Sequence, residues 1–252
     1  RGRKENNKTS SVSYIHCEGW FPGMKQLPLV QINPKDEARY YRNEDKPSLK
    51  YYSVTNILSK TASKSVKYGI DIWKQQQLNK NLDPVVELNK AAERGSVIHN
   101  WAEMFLQGEI QQIAEPYKQY AEYIQSCTIW KHVTQVLSTE SMVCSDKGII
   151  PFAGTFDALL IIKDKLCLFD FKTKNSGKNL PTDAITNEAL CQMAAYRICL
   201  KENYNIDVET CIALYVYPDQ PAYPAYATGK DLITYANMWE KRLKSFAEQS
   251  CQ

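Results

Sequence analysis

At 252 residues, with 44% hydrophobic and 23% charged positions, the chain has an ordinary globular composition and enough length for one domain with a real core, which excludes wholesale disorder and fibrous structure. Its formal net charge of +3 is too mild to demand a nucleic-acid partner and does not oppose one. The longest apolar run, around residues 158–162, is strand-sized and far short of the ~20 residues a membrane helix needs, so no membrane partner is expected.

In chain order, residues 1–12 are polar, basic and aperiodic, and read as a frayed terminus. Pro22, Gly23, Pro28, Pro34 and Pro47 cut the next stretch into short extended pieces and turns. Residues 1–50 are therefore expected to form a partly irregular extension, and 51–252 a single domain. Ser53 is placed to cap a short helix through Ser59, and residues 68–79 read as a second helix. Pro84 suits the first turn of a long helix to about Gln107, and Pro116 opens another expected to reach about Val136. Strands follow at 137–143, 150–162 and 165–172, rich in β-branched and aromatic residues. A polar loop at 175–180, a helix over 182–200, a strand at 210–217, a Pro-rich turn at 218–224 and an amphipathic helix over 230–248 complete the chain. This order predicts an α/β (α+β) architecture, a central mixed sheet flanked by helices with a helical N-terminal section. There is no internal repeat.

The chain begins at Arg1 rather than Met, so the lack of a targeting segment says nothing of its destination. The eight cysteines include no CxxC and no pair closer than eight residues, and Cys167, Cys199 and Cys211 sit inside apolar patterns. Free thiols in a reducing, intracellular compartment are the expectation. An iron–sulfur cluster would need clustered thiolates and is not expected.

The chemistry is concentrated in Gly154-Thr-Phe-Asp157 and, thirteen residues after its Asp, Asp170-Phe-Lys172. In the second of these strands Leu166, Leu168, Asp170 and Lys172 share one face, and Cys167, Phe169 and Phe171 share the other. Both faces are apolar up to Phe169, the pattern of a strand buried on both sides. An Asp and a Lys then appear at its end, where burying charge is costly unless the groups are paired or hold a metal. A two-residue turn at Lys163-Asp164 sets Asp157 opposite Asp170, and one at Asp164-Lys165 sets it opposite Lys172. Either register brings all three to one face, whereas a three-residue loop turns Asp157 away.

Two carboxylates so close call for a cation between them, and oxygen donors without sulfur suit Mg²⁺ or Mn²⁺. Metal, carboxylates and a lysine together fit phosphodiester hydrolysis. An ordinary Asp–Lys ion pair at a hairpin end is the plainer alternative. Upstream, Gly95, His99 and Glu103 form one helical stripe, with Val97, Ile98, Trp101, Ala102 and Phe105 on the buried side. The glycine leaves room for a substrate backbone. Gln192 and Tyr196 share a stripe on the helix after the loop. Lys172, Lys174 and Lys178 could hold phosphates, and sixteen tyrosines offer stacking platforms for unpaired bases.

Gly154-x-x-Asp157, Asp170-x-Lys172 and Gln192-x-x-x-Tyr196, with Arg94-Gly95-x-x-x-His99 upstream, resemble the RecB-like branch of the PD-(D/E)XK nucleases. Tyr52-Ser-Val-Thr-Asn-Ile-Leu58 is similar to the start of an exonuclease subgroup found in bacteriophages and mitochondria. The resemblance spans about residues 51–217. It implies a restriction-endonuclease-like core, with Asp157 and Asp170 as metal ligands, Lys172 as the catalytic lysine and His99 as the metal-site histidine. It makes Gln192 and Tyr196 the last motif, holding either substrate or Lys172. Gln192 joins the catalytic candidates; Arg94, Glu103, Lys174, Lys178 and Tyr196 are the candidates to contact substrate. The chain departs from the pattern in having no Pro before Asp157 and no cysteine quartet.

The resulting expectation is a metal-dependent DNA exonuclease acting on single strands or free ends in replication, repair or recombination. The resemblance implies a mitochondrial matrix location or, for a viral protein, the host cytoplasm. A structure-selective endonuclease would use the same triad. A catalytically silent DNA-binding subunit is disfavoured by the intact triad, and a small-molecule phosphoesterase by the presence of only three histidines.

Overall fold

The computed structural model describes residues 24–35, 37–109, 112–178 and 180–250. The frayed terminus expected at 1–12 lies outside them. The elements run β1 (Leu29–Ile32), β2 (Tyr40–Asn43), β3 (Lys46–Ser53), α1 (Val54–Lys60), α2 (Lys64–Leu78), α3 (Pro84–Leu106), α4 (Lys118–Gln125), a 3-10 turn (Thr128–His132), β4 (Val133–Ser145), β5 (Phe152–Ile162), β6 (Lys165–Thr173), α5 (Asp183–Tyr204), β7 (Thr210–Val216), β8 (Tyr223–Thr228) and α6 (Lys230–Ser250). The expected mixed sheet flanked by helices is the architecture observed. Its strand order is β1-β2-β3-β5-β6-β7-β8, with β4 also paired to β5. The parallel pairs are β3–β5 and β6–β7. Among the described residues no helix is long and apolar enough to cross a membrane.

Alternation along the central strands divides the core. Leu159 and Leu168 face α1, α5 and α6, in one cluster with Ile57, Leu190, Met193 and Trp239. Ala158, Leu160, Cys167, Phe169 and Phe171 face α3 and α4, packing on Ile98, Trp101, Ile124 and Trp130. Here Trp101 stacks on Phe105 at 5.5 Å, and Trp130 meets Phe169 at 5.4 Å.

Within the partly irregular extension expected at 1–50, the described residues form β1, β2 and most of β3, short extended pieces joined in an antiparallel meander that meets the sheet where Tyr52 pairs with Phe152. Two stretches differ from the sequence expectation. The helix expected to run to Val136 stops at Gln125. The β-branched residues after it enter a 3-10 turn and then β4, and the Trp130 indole caps the break by donating to the Ile124 carbonyl. Finally, part of the expected Pro-rich turn at 218–224 belongs to β8, which pairs antiparallel with β7. Pro224 is tolerated because β8 ends the sheet, and an edge strand can spare an N–H.

The β5–β6 turn positions the site. Lys163 and Asp164 have φ of 49° and 61°, as a two-residue turn of type I′ requires, and Ile162 pairs with Lys165. Of the two registers left open, this is the one that sets Asp157 opposite Asp170. The β5–β6 ladder ends at Ala158–Phe169, while β4 stays paired to β5 down to Phe152 and β7 to β6 up to Thr173. The hairpin therefore forks. On the forked edge residues 154–157 have no ladder partner before β3 takes over at Ala153. The Tyr196 ring lies against that gap, so close to Gly154 that a Cβ there would sit 2.5 Å from Tyr196 Cε1.

The two glycines of the motifs thus play opposite parts. Gly154→Ala should cost ~1–3 kcal/mol by overpacking against Tyr196. In mid-helix α3, a Cβ at Gly95 meets only Thr173 Oγ1 at 3.8 Å, and Gly95→Ala should be neutral or stabilising by up to ~1 kcal/mol. Urea denaturation of the two variants checks this; equal midpoints would remove the close-approach assignment at Gly154.

Candidate active site

The fork leaves the Phe171 N–H without a β5 partner, and the Asp157 side chain takes it: Oδ2 accepts from Phe171 N at 2.6 Å. The same oxygen lies 3.2 Å from His99 Nδ1. His99 is delivered by the half of α3 that packs on the sheet, where Ile98 and Trp101 are buried and the His99 ring meets Phe171 edge-on at 6.1 Å.

Asp170 is almost wholly buried, at 2% exposure. Lys172 Nζ approaches its Oδ2 to 2.6 Å, an ion pair without hydrogen-bond angles, and that oxygen has no hydrogen-bond donor. Lys172 Nζ donates instead to Gln192 Oε1 at 2.9 Å, and Gln192 Nε2 donates to the Tyr196 hydroxyl at 2.9 Å. Four side chains from β6 and α5 thus form one line, Asp170–Lys172–Gln192–Tyr196.

A third acid, which the sequence reading did not single out, faces this group. Glu140 on β4 lies in register across from Asp157, since Thr139 pairs with Ala158 and Ser141 with Phe156. One ligand atom each from His99, Glu140 and Asp157 falls within 4.8 Å of the others. Glu140 also has φ of 40°, a left-handed conformation costly for a non-glycine residue and characteristic of functional sites. No spacing rule reveals it, because the six residues between β4 and β5 fit none of the tight turns that fix a hairpin register. An acid inside an otherwise Ser/Thr-rich strand was the only signal.

The candidate substrate contacts divide. Lys174 lies over the Tyr215 ring, Nζ to centroid 5.5 Å, and burial lowers its pKa, with the Lys172 and Arg94 charges adding to the effect. Arg94 projects its Nε into a buried position with no hydrogen-bond acceptor. Lys178 is exposed on a loop tied down by Asp219, which accepts from Gly177 N at 2.6 Å and Ser176 Oγ at 3.0 Å. Glu103 turns away: its Oε1 accepts from Gln107 Nε2 at 3.2 Å and Thr139 Oγ1 at 3.3 Å. Tyr196 is buried at 2% exposure, and its hydroxyl accepts from Gln192, whose amide oxygen in turn accepts from Lys172.

Electrostatics explain the pairing. Burial lifts Asp170 to about 6, with Asp157 adding repulsion and Lys172 and His99 opposing. Burial alone would lower His99, but the adjacent Asp157 carboxylate outweighs it and raises the imidazole to about 9. Glu140 is lifted to about 7, by desolvation first and then by Asp157. Converging carboxylates and the grouping of His99, Glu140 and Asp157 into an oxygen-and-imidazole donor set fit a hard divalent cation.

A hairpin bearing Asp157, Asp170 and Lys172 in a mixed sheet flanked by helices agrees with the core that the resemblance to the PD-(D/E)XK nucleases implies. In sequence the chain is similar to mitochondrial genome maintenance exonuclease 1. The human protein is 25% identical over 215 residues, covering 78% of this chain and 58% of the relative, and the mouse protein 24% over 203 residues, covering 78% and 59%. The chain thus spans less than three-fifths of the length of these relatives. A solved Eubacterium rectale protein provisionally assigned as an exonuclease superposes with a TM-score of 0.44 at 11% identity, over 61% of this chain and 66% of that one. No protein-family profile matches the chain.

Two measurements follow from the charges. His99 and Asp170 both hold protons more tightly folded than unfolded. In EDTA the stability from Asp170 should therefore fall as pH rises from its unfolded value of 3.8 through about 6, and that from His99 from 6.5 through about 9. A melting temperature that is flat between pH 6.5 and 9 would dissolve the His99–Asp157 pairing. At fixed pH, Mn²⁺ should raise the melting temperature with concentration, and Glu140→Ala should shift that titration to higher metal. An unshifted titration removes Glu140 from the cation site.

Proposed function

We propose that the protein is a Mg²⁺- or Mn²⁺-dependent deoxyribonuclease that hydrolyses phosphodiester bonds from free ends of single-stranded DNA. The observation that carries this reading is the convergence of Asp157, Asp170 and Lys172 at the fork, with Lys172 held by Gln192. The name shared by the sequence relatives, a mitochondrial genome maintenance exonuclease, supports the exonuclease class, DNA as substrate and a mitochondrial setting. Asp157, Asp170 and His99, with Glu140 from β4, would hold the cation. A divalent ion bound there supplies Lewis-acid stabilisation of the phosphate and a more acidic bound water.

The protein's own groups do the positioning. Phe171 N–H and His99 fix the Asp157 carboxylate, so that it faces the mouth of the fork without searching rotamers. Asp170 and Gln192 hold the Lys172 ammonium beside the carboxylates, where it can meet charge developing on a phosphate. Tyr196 keeps the Gln192 amide oriented with its oxygen toward the lysine.

End dependence rests on the helices before the site. α2 packs on both α3, which carries His99, and α5, which carries Gln192, while α3 lies on β4, β5 and β6. Lys64, Lys67 and Lys74 on α2, followed by Lys80, face only Asp71 as an acid within that segment, and Tyr68 is 68% exposed. Basic groups interleaved with an exposed aromatic suit a single strand, whose backbone they track and whose bases they stack.

Asp170→Asn or Lys172→Ala should cut turnover on linear single strands by ~10³ or more while DNA affinity stays within a few-fold; either variant retaining a tenth of the activity would overturn the reading. With Mg²⁺ or Mn²⁺, end-labelled linear single strands should be shortened while circles of the same sequence survive. Rapid nicking of circles would instead favour the endonuclease alternative.

A further inference from the structure

Beside the catalytic lysine, on the α1–α5 side of the fork, lies a cavity of about 290 Å³ that the chemistry described so far does not use. Lys172 and Gln192 form one wall. The opposite walls are apolar, from Leu58 of α1 and Ile185 and Ala189 of α5, and Tyr215 lies beneath. Thr55, Thr173, Lys174 and Glu188 complete the lining. Thr55 accepts a hydrogen bond from Arg39 Nη2 at 2.9 Å, and Glu188 is clamped by the Arg242 guanidinium, which also donates to the Thr61 carbonyl.

We propose that this cavity receives the base of the nucleotide next to the scissile phosphate, an inference that rests on the nuclease reading above. Its size lies at the lower limit of small-molecule sites, ~300 Å³, which suits one planar ring system. Its apolar walls suit ring faces, and its fixed carboxylate suits the N–H edge of a base. Lys172 and Lys174 are the lining cations that can hold the adjoining phosphate, which leaves the apolar residues of the cavity to the base. Because Lys172 and Gln192 belong to both sites, a base seated here brings its own phosphate to the fork. The cavity is thus a positioning device: it fixes the scissile bond in register with the carboxylates on any sequence.

The test uses the full chain and a linear single strand carrying one abasic residue. The wild-type protein with Mn²⁺ should degrade the strand base by base and slow about tenfold at the phosphate flanking the abasic residue. Ile185→Trp, at a position 40% exposed, fills the cavity from its mouth without entering the core. It should slow every step to about the abasic rate and erase the abasic pause. Wild-type passage without a pause, or a pause preserved in Ile185→Trp, overturns the base pocket while leaving the nuclease reading intact. Failure of the wild type to shorten an ordinary strand with either metal would instead sink the nuclease reading itself.

Discussion

The site depends on one event in the backbone, the parting of β5 and β6 beyond Ala158–Phe169. A strand pair cannot simply open inside a sheet, because each freed N–H and C=O must find another partner. The outer edges are secure, since β4 stays on β5 and β7 on β6 along the whole opening. The inner edge is not, and Asp157 meets its need by accepting the Phe171 N–H. The carboxylate that would hold a cation therefore also closes the backbone account of the fork. Replacing it should disturb geometry as well as charge, which is why Asp170 and Lys172 are the cleaner probes of chemistry.

Once the fork exists, its charges select their neighbours. Asp157, Asp170 and Glu140 converge, and burial disfavours the ionised form of Asp170 and of Glu140. Without a metal, His99 and Lys172 are the compensating cations, each within 3.2 Å of a carboxylate oxygen; a bound metal would take the place of the His99 proton. The groups behind them are neutral. Burial keeps the Tyr196 phenol protonated, and through Gln192 it steadies Lys172 without adding charge. A second acid in that place would tie the ammonium into a closed ion-pair network and blunt its attraction for a phosphate.

How much of this was legible follows the same physics. The hairpin could be read because a two-residue turn and strict alternation leave few registers, and both even-numbered ones kept Asp157, Asp170 and Lys172 together. His99, Gln192 and Tyr196 were legible as helical stripes, since spacing alone puts them on one side. Glu140 was not, because its meeting with Asp157 is set across a six-residue loop that fixes no register by itself. Nor were the buried position of Tyr196 and the turning away of Glu103 toward Thr139, because a stripe gives a direction and not what stands in it. Local propensity also misled at residues 126–136, where a helical periodicity continued past the point at which β5 claimed the chain as a strand partner.

The two halves of α3 differ in a way that ties stability to function. From Ile98 onward the helix is anchored, with Trp101, Ala102, Phe105 and Leu106 all buried. Before that point none of its residues is buried, and α2 buries only Gln77. Tyr68, Ile70, Leu78, Val85 and Leu88 remain exposed, and Ser63 and Asp83 cap the two helices by accepting from Val66 N and Val85 N. Local stability in this arm therefore rests on capping and helix propensity more than on a core, which places it at the low end of the molecule's range of opening free energies. His99 stands one residue past the boundary, so the imidazole is held by the rigid half while the arm before it is free to yield. On the proposed function this division has a use: a strand that meets the basic arm can shift it without displacing the group that steadies Asp157.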